Sequence, residues 1–254
     1  MRHRWHLILS RCSGSGRFKI KRWPFMPPGL AEALVAWGRE NARFFPWRAV
    51  REPFALLVGE MLLRKTTARQ VSKVYCPLMA HYETPEKLAN ARPEDLQAIL
   101  RPLGLANQRS AALQSVAGYL LTFHQGSVPS DPEELTKIPH VGPYAANAVG
   151  CFGFGLPLPV VDTNVIRVLD RFTGTKTLGA NPHRARSIWR RSTRSLPMVS
   201  VRDYNYALLD LAALVCKTKP SCSKCCLRSG CAEAKKRSES PLQLTQSSAL
   251  SSQS

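Results

Sequence analysis

Four cysteines close to the C-terminus constrain this chain more than any other feature. Cys216, Cys222, Cys225 and Cys231 follow the spacing C-x5-C-x2-C-x5-C, with no histidine among them. Four thiolates in one short loop can hold a [4Fe–4S] cluster or, less often, a zinc ion. We expect the [4Fe–4S] cluster, and therefore a reducing compartment rather than a disulfide-bonded protein.

The cysteine loop is basic, and so is the chain as a whole. Lys217, Lys219, Lys224 and Arg228 lie between the cysteines. The 254 residues include 36 Lys or Arg and 17 Asp or Glu, which gives a formal net charge of +19. Such an excess attracts a polyanion, and the affinity should fall steeply with salt. Ribosomal or membrane-surface binding fits the charge equally well, but no apolar run reaches transmembrane length.

Most of the chain has the apolar periodicity of α-helices. The i, i+3, i+4, i+7 rule is met by Leu113, Val116, Ala117 and Leu120, by Val165, Val168, Leu169 and Phe172, and by Leu208, Leu211, Ala212 and Val215. Helix starts are indicated at Thr84-Pro85, Asp131-Pro132 and Asn181-Pro182, where a capping residue precedes proline. Asp131 and Glu134 also match a capping box. Since no alternating strand stands out, we predict an all-α fold.

The two ends of the chain differ from its middle. Residues 1–28 carry seven Lys or Arg and no acid, which predicts a basic flexible arm, with an organellar transit peptide as the alternative. Residues 238–254 are rich in Ser and Gln and are predicted to be a disordered tail. We expect a cytoplasmic, nucleoid-associated protein.

Residues 135–149, LTKIPHVGPYAANAV, contain a hairpin between two helices. A short helix is predicted to end near Ile138, and Pro143 opens the next one. This resembles the helix-hairpin-helix motif, which points backbone N–H groups at a DNA phosphate. Gly142 is expected to supply backbone freedom in the turn. His140 stands where the motif usually has a second glycine, and histidine is enriched in the left-handed region.

Asp162, in the segment VVDTN at 160–164, follows an apolar run and precedes a helix. Taken alone, it is an N-cap residue. The order of hairpin, Val-Asp-Thr and four-cysteine loop, however, resembles the helix-hairpin-helix DNA glycosylase superfamily of endonuclease III and the MutY-type adenine glycosylases. The resemblance extends from about Phe45 to Cys231 and includes the segment at 45–71.

Three segments are most similar to the thymine-DNA mismatch glycosylases: LLRKTT at 62–67, GLANQR at 104–109 and VRDYNYALLDL at 201–211. Two features depart from the family. The first cysteine gap is one residue short, and Cys226 adjoins Cys225, which leaves open which of these two is the third ligand. The resemblance favours Cys225, with Cys226 in place of a common proline.

The resemblance implies a role for each site residue. Asp162 would stabilise the positive charge that grows on the sugar as the base leaves. Glu60 takes the place of the glutamate that protonates adenine in the MutY-type enzymes. Tyr144 stands where bifunctional members have a Schiff-base lysine, so the chain should leave an abasic site without cutting the strand. The residues implied to bind DNA are Arg64, Lys65, His140, Val141 and Gly142.

Three functions compete. The first is a monofunctional glycosylase that excises thymine or uracil opposite guanine. The second is an adenine glycosylase, although the MutY-type proteins usually carry a long extra domain after the cluster, whereas this chain stops soon after Cys231. The third is a non-catalytic DNA-binding iron–sulfur protein, which would need neither Asp162 nor Glu60. We expect a monomer that binds mismatched double-stranded DNA and no membrane.

The resemblance also implies two helical lobes on either side of a DNA-binding groove. A six-helix barrel lobe would span residues 51–158 and end with the hairpin. A cysteine lobe would combine an N-terminal helix within 29–50 with residues 159–237. It would hold the cluster and Asp162.

Overall fold

The computed structural model describes residues 26–177, 185–197 and 200–239. As the sequence predicted, these residues form α-helices and no β-strand. The helices are α1 Pro28–Asn41, α2 Pro46–Ala49, α3 Pro53–Leu62, α4 Ala68–His81, α5 Pro85–Ala89, α6 Pro93–Leu100, α7 Ala106–His124, α8 Pro132–Lys137, α9 Pro143–Phe152, α10 Thr163–Thr173, α11 Arg186–Arg194, α12 Val201–Leu214 and α13 Ala232–Glu239. Within these ranges no helix is both long and apolar enough to span a bilayer.

The helices enclose two hydrophobic cores. The first, in the barrel lobe, takes its buried side chains from Trp47 to Val160. The second, in the cysteine lobe, combines α1 with residues from Val161 to Leu227. Helix α1 lies so close to α12 that a Cβ at Gly38 would overlap the Cβ of Ala207. The predicted all-α fold with two helical lobes is therefore confirmed. Helix α1 packs on α12 of the cysteine lobe.

Two of the three predicted helix starts fall in the described residues, and both are confirmed. Thr84 accepts a hydrogen bond from the Lys87 N–H at the start of α5 (3.3 Å). Asp131 accepts one from the Glu133 N–H at the start of α8 (2.8 Å). The third, at Asn181, lies outside the described residues, as do residues 1–25 of the predicted arm and 240–254 of the tail.

The capping box predicted at Asp131 is wrong. The Glu134 carboxylate turns outward to Lys137 (2.6 Å), because an oppositely charged partner lies one turn further along the helix. A capping box does form at the start of α4, between Thr67 and Gln70.

The hairpin joins α8 to α9. His140 has φ 64°, so histidine occupies the left-handed position as predicted. Gly142 has φ −93° and ψ 176°, an extended conformation that any residue adopts, so the expected need for its backbone freedom is wrong. Gly142 instead caps α9, and a Cβ there would have no heavy atom within 4 Å. Its missing side chain leaves the N-terminus of α9 open.

Candidate active site and DNA-binding surface

A pocket of about 500 Å³ opens between the two lobes. Glu60 on α3, Tyr144 on α9 and Asp162 at the start of α10 all line it. The structure thus brings together the three residues that the sequence singled out for catalysis. Arg64, His140 and Gly142 line the same pocket.

Glu60 is buried in this pocket, with 6% of its surface exposed. Burial raises the pKa of Glu60 to about 7, and the Asp162 charge adds to the rise, while Arg48 and Tyr144 oppose it. Its Oε2 has no hydrogen-bond partner among the described protein atoms. Near neutral pH, Glu60 can therefore either donate or accept a proton at the pocket floor.

The raised pKa predicts a pH-dependent stability that depends on this one side chain. Above pH 4.5 the unfolded chain has lost a proton that the folded protein keeps up to about pH 7. Stability therefore falls as the pH rises through this window, by on the order of 3 kcal/mol. Glu60→Gln removes the titration, so the mutant should gain stability relative to wild type as the pH rises.

Urea unfolding from about pH 4.5 to about pH 8 measures this difference. Glu32→Gln, which changes an exposed carboxylate on α1, is the matched control and should follow the wild type. A constant difference between Glu60→Gln and wild type across the range would contradict the buried, proton-holding state of Glu60.

Asp162 is both a helix cap and a pocket residue. Its Oδ1 accepts a hydrogen bond from the Val165 N–H at 2.7 Å, which caps α10. Its Oδ2 accepts one from the Asn164 side-chain amide at 2.8 Å. The carboxylate is thereby fixed at the pocket wall.

Hydrogen bonds continue from Asp162 to the cysteine loop. The Arg167 Nη1 donates to Asn164 Oδ1 and its Nε donates to the Cys216 carbonyl, both at 2.9 Å. One turn further along α10, Arg171 donates to the Thr218 carbonyl at 2.9 Å. Helix α10 thus ties the carboxylate of the pocket to the loop that carries the four cysteines.

Asp210 on α12 forms a buried ion pair that the sequence analysis missed. It is 1% exposed, and Arg48 bonds both of its oxygens (2.7 and 2.9 Å), while the Arg43 Nε lies 2.6 Å from Oδ1. Burial alone would raise the pKa of Asp210, but hydrogen bonds and charge from Arg48 and Arg43 outweigh it and lower the pKa. The pair joins both lobes and holds Arg48 in the pocket wall.

Two tyrosines complete the pocket. Burial, with the nearby Glu60 and Asp162 charges, raises the pKa of Tyr144 well above its ordinary value, so its phenol stays neutral. Tyr206, also missed from the sequence, stacks on Phe152 with ring centroids 3.9 Å apart. The Tyr206 hydroxyl oxygen is buried and has no partner among the described protein atoms.

The loop after α3, residues 63–67, is held in place from two sides. Arg64 Nη1 donates to the His140 carbonyl at 3.0 Å, which joins the loop to the hairpin. Arg109 donates to the Leu62, Arg64 and Gly104 carbonyls at 3.2, 2.9 and 3.0 Å. Lys65, at φ 54°, lines a second cavity of about 230 Å³ beside the first. Arg64 and His140 line both cavities.

The N-terminus of α9 offers backbone donors to a phosphate. The first intrahelical bond of this turn runs from the Ala146 N–H to the Gly142 carbonyl (3.0 Å), so the amides of Tyr144 and Ala145 precede it. The Val141 side chain is buried in the barrel core, and its N–H donates to the Ile138 carbonyl at 3.1 Å. Val141 therefore stabilises the hairpin through its buried side chain and its backbone hydrogen bond.

The four predicted ligands, Cys216, Cys222, Cys225 and Cys231, line one small cavity, whereas Cys226 lines only a different one, which Cys225 also borders. Burial raises the pKa of Cys225 to about 11, and the charges of the other three thiols add to the rise. Across the described residues, no group of three or more His, Cys, Asp or Glu side chains is arranged to hold a single metal ion. Four thiols that line one cavity are a donor set that suits a [4Fe–4S] cluster or a zinc ion.

A helix-hairpin-helix beside a carboxylate-lined pocket between two helical lobes defines a class of enzymes that act on bases in DNA. Residues 58–192 match the sequence profile of the HhH-GPD superfamily of base excision DNA repair proteins. The chain belongs to this superfamily.

Several characterised proteins are similar over most of this chain. A thymine-DNA glycosylase of Aeropyrum pernix is 37% identical, over 82% of this chain and 96% of its own. A thymine/uracil-DNA glycosylase of Pyrobaculum aerophilum is 36% identical, over 76% and 86%. An adenine DNA glycosylase of Mycobacterium tuberculosis is 32% identical, over 76% and 64%.

Solved structures show the same fold. A thermostable thymine-DNA glycosylase superimposes with a TM-score of 0.76 and 30% identity, over 82% of this chain and 96% of that one. An endonuclease III in a non-covalent complex with DNA superimposes with a TM-score of 0.69 and 27% identity, over 83% and 97%.

Proposed function

We propose that this DNA glycosylase removes thymine or uracil mispaired with guanine and leaves an abasic site. The main support for the proposal is that Glu60, Tyr144 and Asp162 line the same pocket. The names of the relatives from Aeropyrum pernix and Pyrobaculum aerophilum support the choice of base. The protein acts as a monomer on double-stranded DNA.

The mispaired nucleotide would be flipped out of the duplex into the pocket, at a cost that a mispair reduces. The open N-terminus of α9 binds its backbone phosphate, and Arg64 fills the space that the base leaves. As the glycosidic bond breaks, the Asp162 carboxylate stabilises the positive charge on the sugar and aligns water. Glu60 holds an oxygen or the ring N–H of the departing base.

Tyr144 makes the enzyme monofunctional. A bifunctional glycosylase needs an amine at the hairpin to attack the sugar and form a Schiff base. The phenol of Tyr144 cannot form an iminium, and its raised pKa keeps it a neutral group at the pocket wall. Strand cleavage without added alkali is therefore not expected.

The cysteine loop would hold a [4Fe–4S] cluster through Cys216, Cys222, Cys225 and Cys231. Such a cluster would stabilise the loop and would take no part in base removal. The lysines and arginine between the cysteines would then be displayed to DNA phosphates. The cavity shared by the four side chains supports this ligand set, and Cys226 does not line that cavity, which favours Cys225 as the third ligand.

Adenine excision is the second candidate function. It is favoured by the buried Glu60, whose pKa of about 7 suits proton donation to a purine nitrogen. The adenine glycosylase of Mycobacterium tuberculosis is less similar to this chain, at 32% identity and 64% of its length.

A single-turnover excision assay tests the proposal. End-labelled duplexes would carry G·T, G·U, A·G, A·8-oxoguanine or G·C pairs, and each sample would be divided and read with and without hot alkali. We expect cleavage of the thymine and uracil strands that depends on alkali. Cleavage of the adenine strand alone would establish the second function. Breaks without alkali would contradict the assignment of Tyr144.

A further inference from the structure

Two polar atoms at the floor of the pocket lack a protein partner. The Glu60 Oε2 and the Tyr206 hydroxyl oxygen are both buried, and no described residue hydrogen-bonds to either. Buried polar atoms are nearly always paired, and an unpaired one lowers stability. Both residues line the same pocket, so binding of a ligand with matching polar groups could bring partners to these atoms.

Tyr206 is held rigidly in this position. Its ring lies parallel to Phe152, 3.9 Å between centroids and 12° between planes. The guanidinium of Arg48 lies over the ring, 4.6 Å from its centroid, and is itself fixed by Asp210. Burial raises the pKa of Tyr206, so the hydroxyl keeps its proton and acts as a donor. A rigid donor of this kind can select among bases.

We propose that Tyr206 determines base specificity, with its hydroxyl donating a hydrogen bond to the carbonyl oxygen at C4 of the flipped thymine or uracil. This inference rests on the proposed function. On the same edge of the base, the Glu60 Oε2 accepts a hydrogen bond from the adjacent N3–H. The two unpartnered atoms of the pocket thus match two neighbouring groups of an imide.

The C4 position is where deamination changes the base. Thymine and uracil carry an oxygen acceptor there, whereas 5-methylcytosine and cytosine carry an amine. With an amine at C4, the Tyr206 hydroxyl could only accept a hydrogen bond from that amine, so its own proton would stay unpaired in a buried site. A site built to pair with a substrate group rejects the analogue that lacks it, because its own polar groups are then left unpaired. Tyr206 would thereby protect the intact base pair.

Tyr206→Phe removes only the hydroxyl and tests the proposal. Excision would be measured in single turnover on guanine mispairs with thymine, with 2-thiothymine and with 5-methyl-2-pyrimidinone, which lacks the C4 oxygen. We expect the mutant to be about tenfold slower than wild type on thymine and on 2-thiothymine. On 5-methyl-2-pyrimidinone the two enzymes should have equal rates, because the partner of the hydroxyl is gone. Comparing the enzymes on each base cancels the intrinsic reactivity of that base.

Tyr204→Phe is the matched control on the same helix. The Tyr204 hydroxyl is buried too, but it bonds Ser195 Oγ at 3.1 Å, outside the pocket. We expect Tyr204→Phe to lower Tm and to leave the base preference unchanged. Tyr206→Phe should keep or raise Tm, since it removes an unpaired hydroxyl. If Tyr206 had only a structural role, Tyr206→Phe would instead lower Tm and slow the excision of all three bases equally.

The outcomes separate the inference from the proposed function. Equal rates of the mutant and wild type on thymine, or the same ratio on all three bases, would overturn the role of Tyr206. If the difference in excision rate between mutant and wild type disappeared on 2-thiothymine alone, the hydrogen bond of Tyr206 could not be assigned to the oxygen at C4. If the wild type excises neither thymine nor uracil from any mispair, the proposed function itself fails.

Discussion

Asp162→Asn is expected to slow base excision by at least about a thousandfold while leaving mismatch binding close to that of the wild type. The substitution removes a negative charge from the wall of the pocket. No other carboxylate of the pocket lies on the cysteine lobe, and Glu60 is partly protonated near pH 7. The developing charge on the sugar would therefore lose its main stabilising partner.

The choice of asparagine keeps the local structure intact. An asparagine side-chain oxygen can still accept the hydrogen bond from the Val165 N–H, and asparagine caps a helix about as well as aspartate. Asp162→Ala removes the cap as well as the charge and should lower Tm. A drop in excision that appears only in the alanine variant would assign Asp162 to helix capping alone.

Single-turnover excision on a G·T duplex, with binding measured by gel shift at the same salt concentration, checks the prediction. Equal binding with lost excision is the expected pair of results. An Asp162→Asn variant that excises at the wild-type rate would remove this residue from the mechanism.

Cys225→Ser should yield protein without visible colour and with a cysteine lobe that unfolds, whereas Cys226→Ser should remain coloured and folded. The adjacent cysteines differ in surroundings: Cys225 lines the cavity of the other three candidate ligands, whereas Cys226 lines only a second cavity, which Cys225 also borders. Structural metal sites contribute on the order of 10 kcal/mol to folding, so losing one ligand has a large effect.

Iron content, visible absorbance and Tm of the two variants, purified without air, distinguish the ligand sets. The Cys226→Ser protein should carry about four iron atoms per chain, like the wild type. Zinc in place of iron in the wild type would overturn the cluster. If Cys226→Ser were the colourless variant, the third ligand would be Cys226.

The parts of the site that could be predicted from the sequence are those determined by residues close together in the chain. The hairpin, the left-handed His140 and the cap at Asp162 depend on neighbouring residues, and the structure shows each of them. The role of Gly142 was wrong because a glycine in a turn suggests a positive φ, whereas here it is extended.

The pocket floor could not be predicted because it depends on distant parts of the chain. Arg48 and Asp210 lie 162 residues apart in sequence and meet only when α12 packs across the lobes. Arg48 and Tyr206 lie in segments that resemble the family. The residue types alone, however, do not show that these side chains are buried or which residues they contact. The resemblance identified these segments, and the fold was needed to show that Tyr206 lines the pocket.

The hydrogen bonds that run from Asp162 through Asn164 and Arg167 to Cys216 have a consequence for quality control. A repair enzyme that cuts bases from DNA is a hazard when misassembled. Because Arg167 on α10 donates to both Asn164 and Cys216, a copy whose loop fails to form would lose one support of the Asn164 side chain that bonds Asp162. Molecules whose loop has not assembled would then be inactive rather than unselective. Base excision would therefore require assembly of the loop.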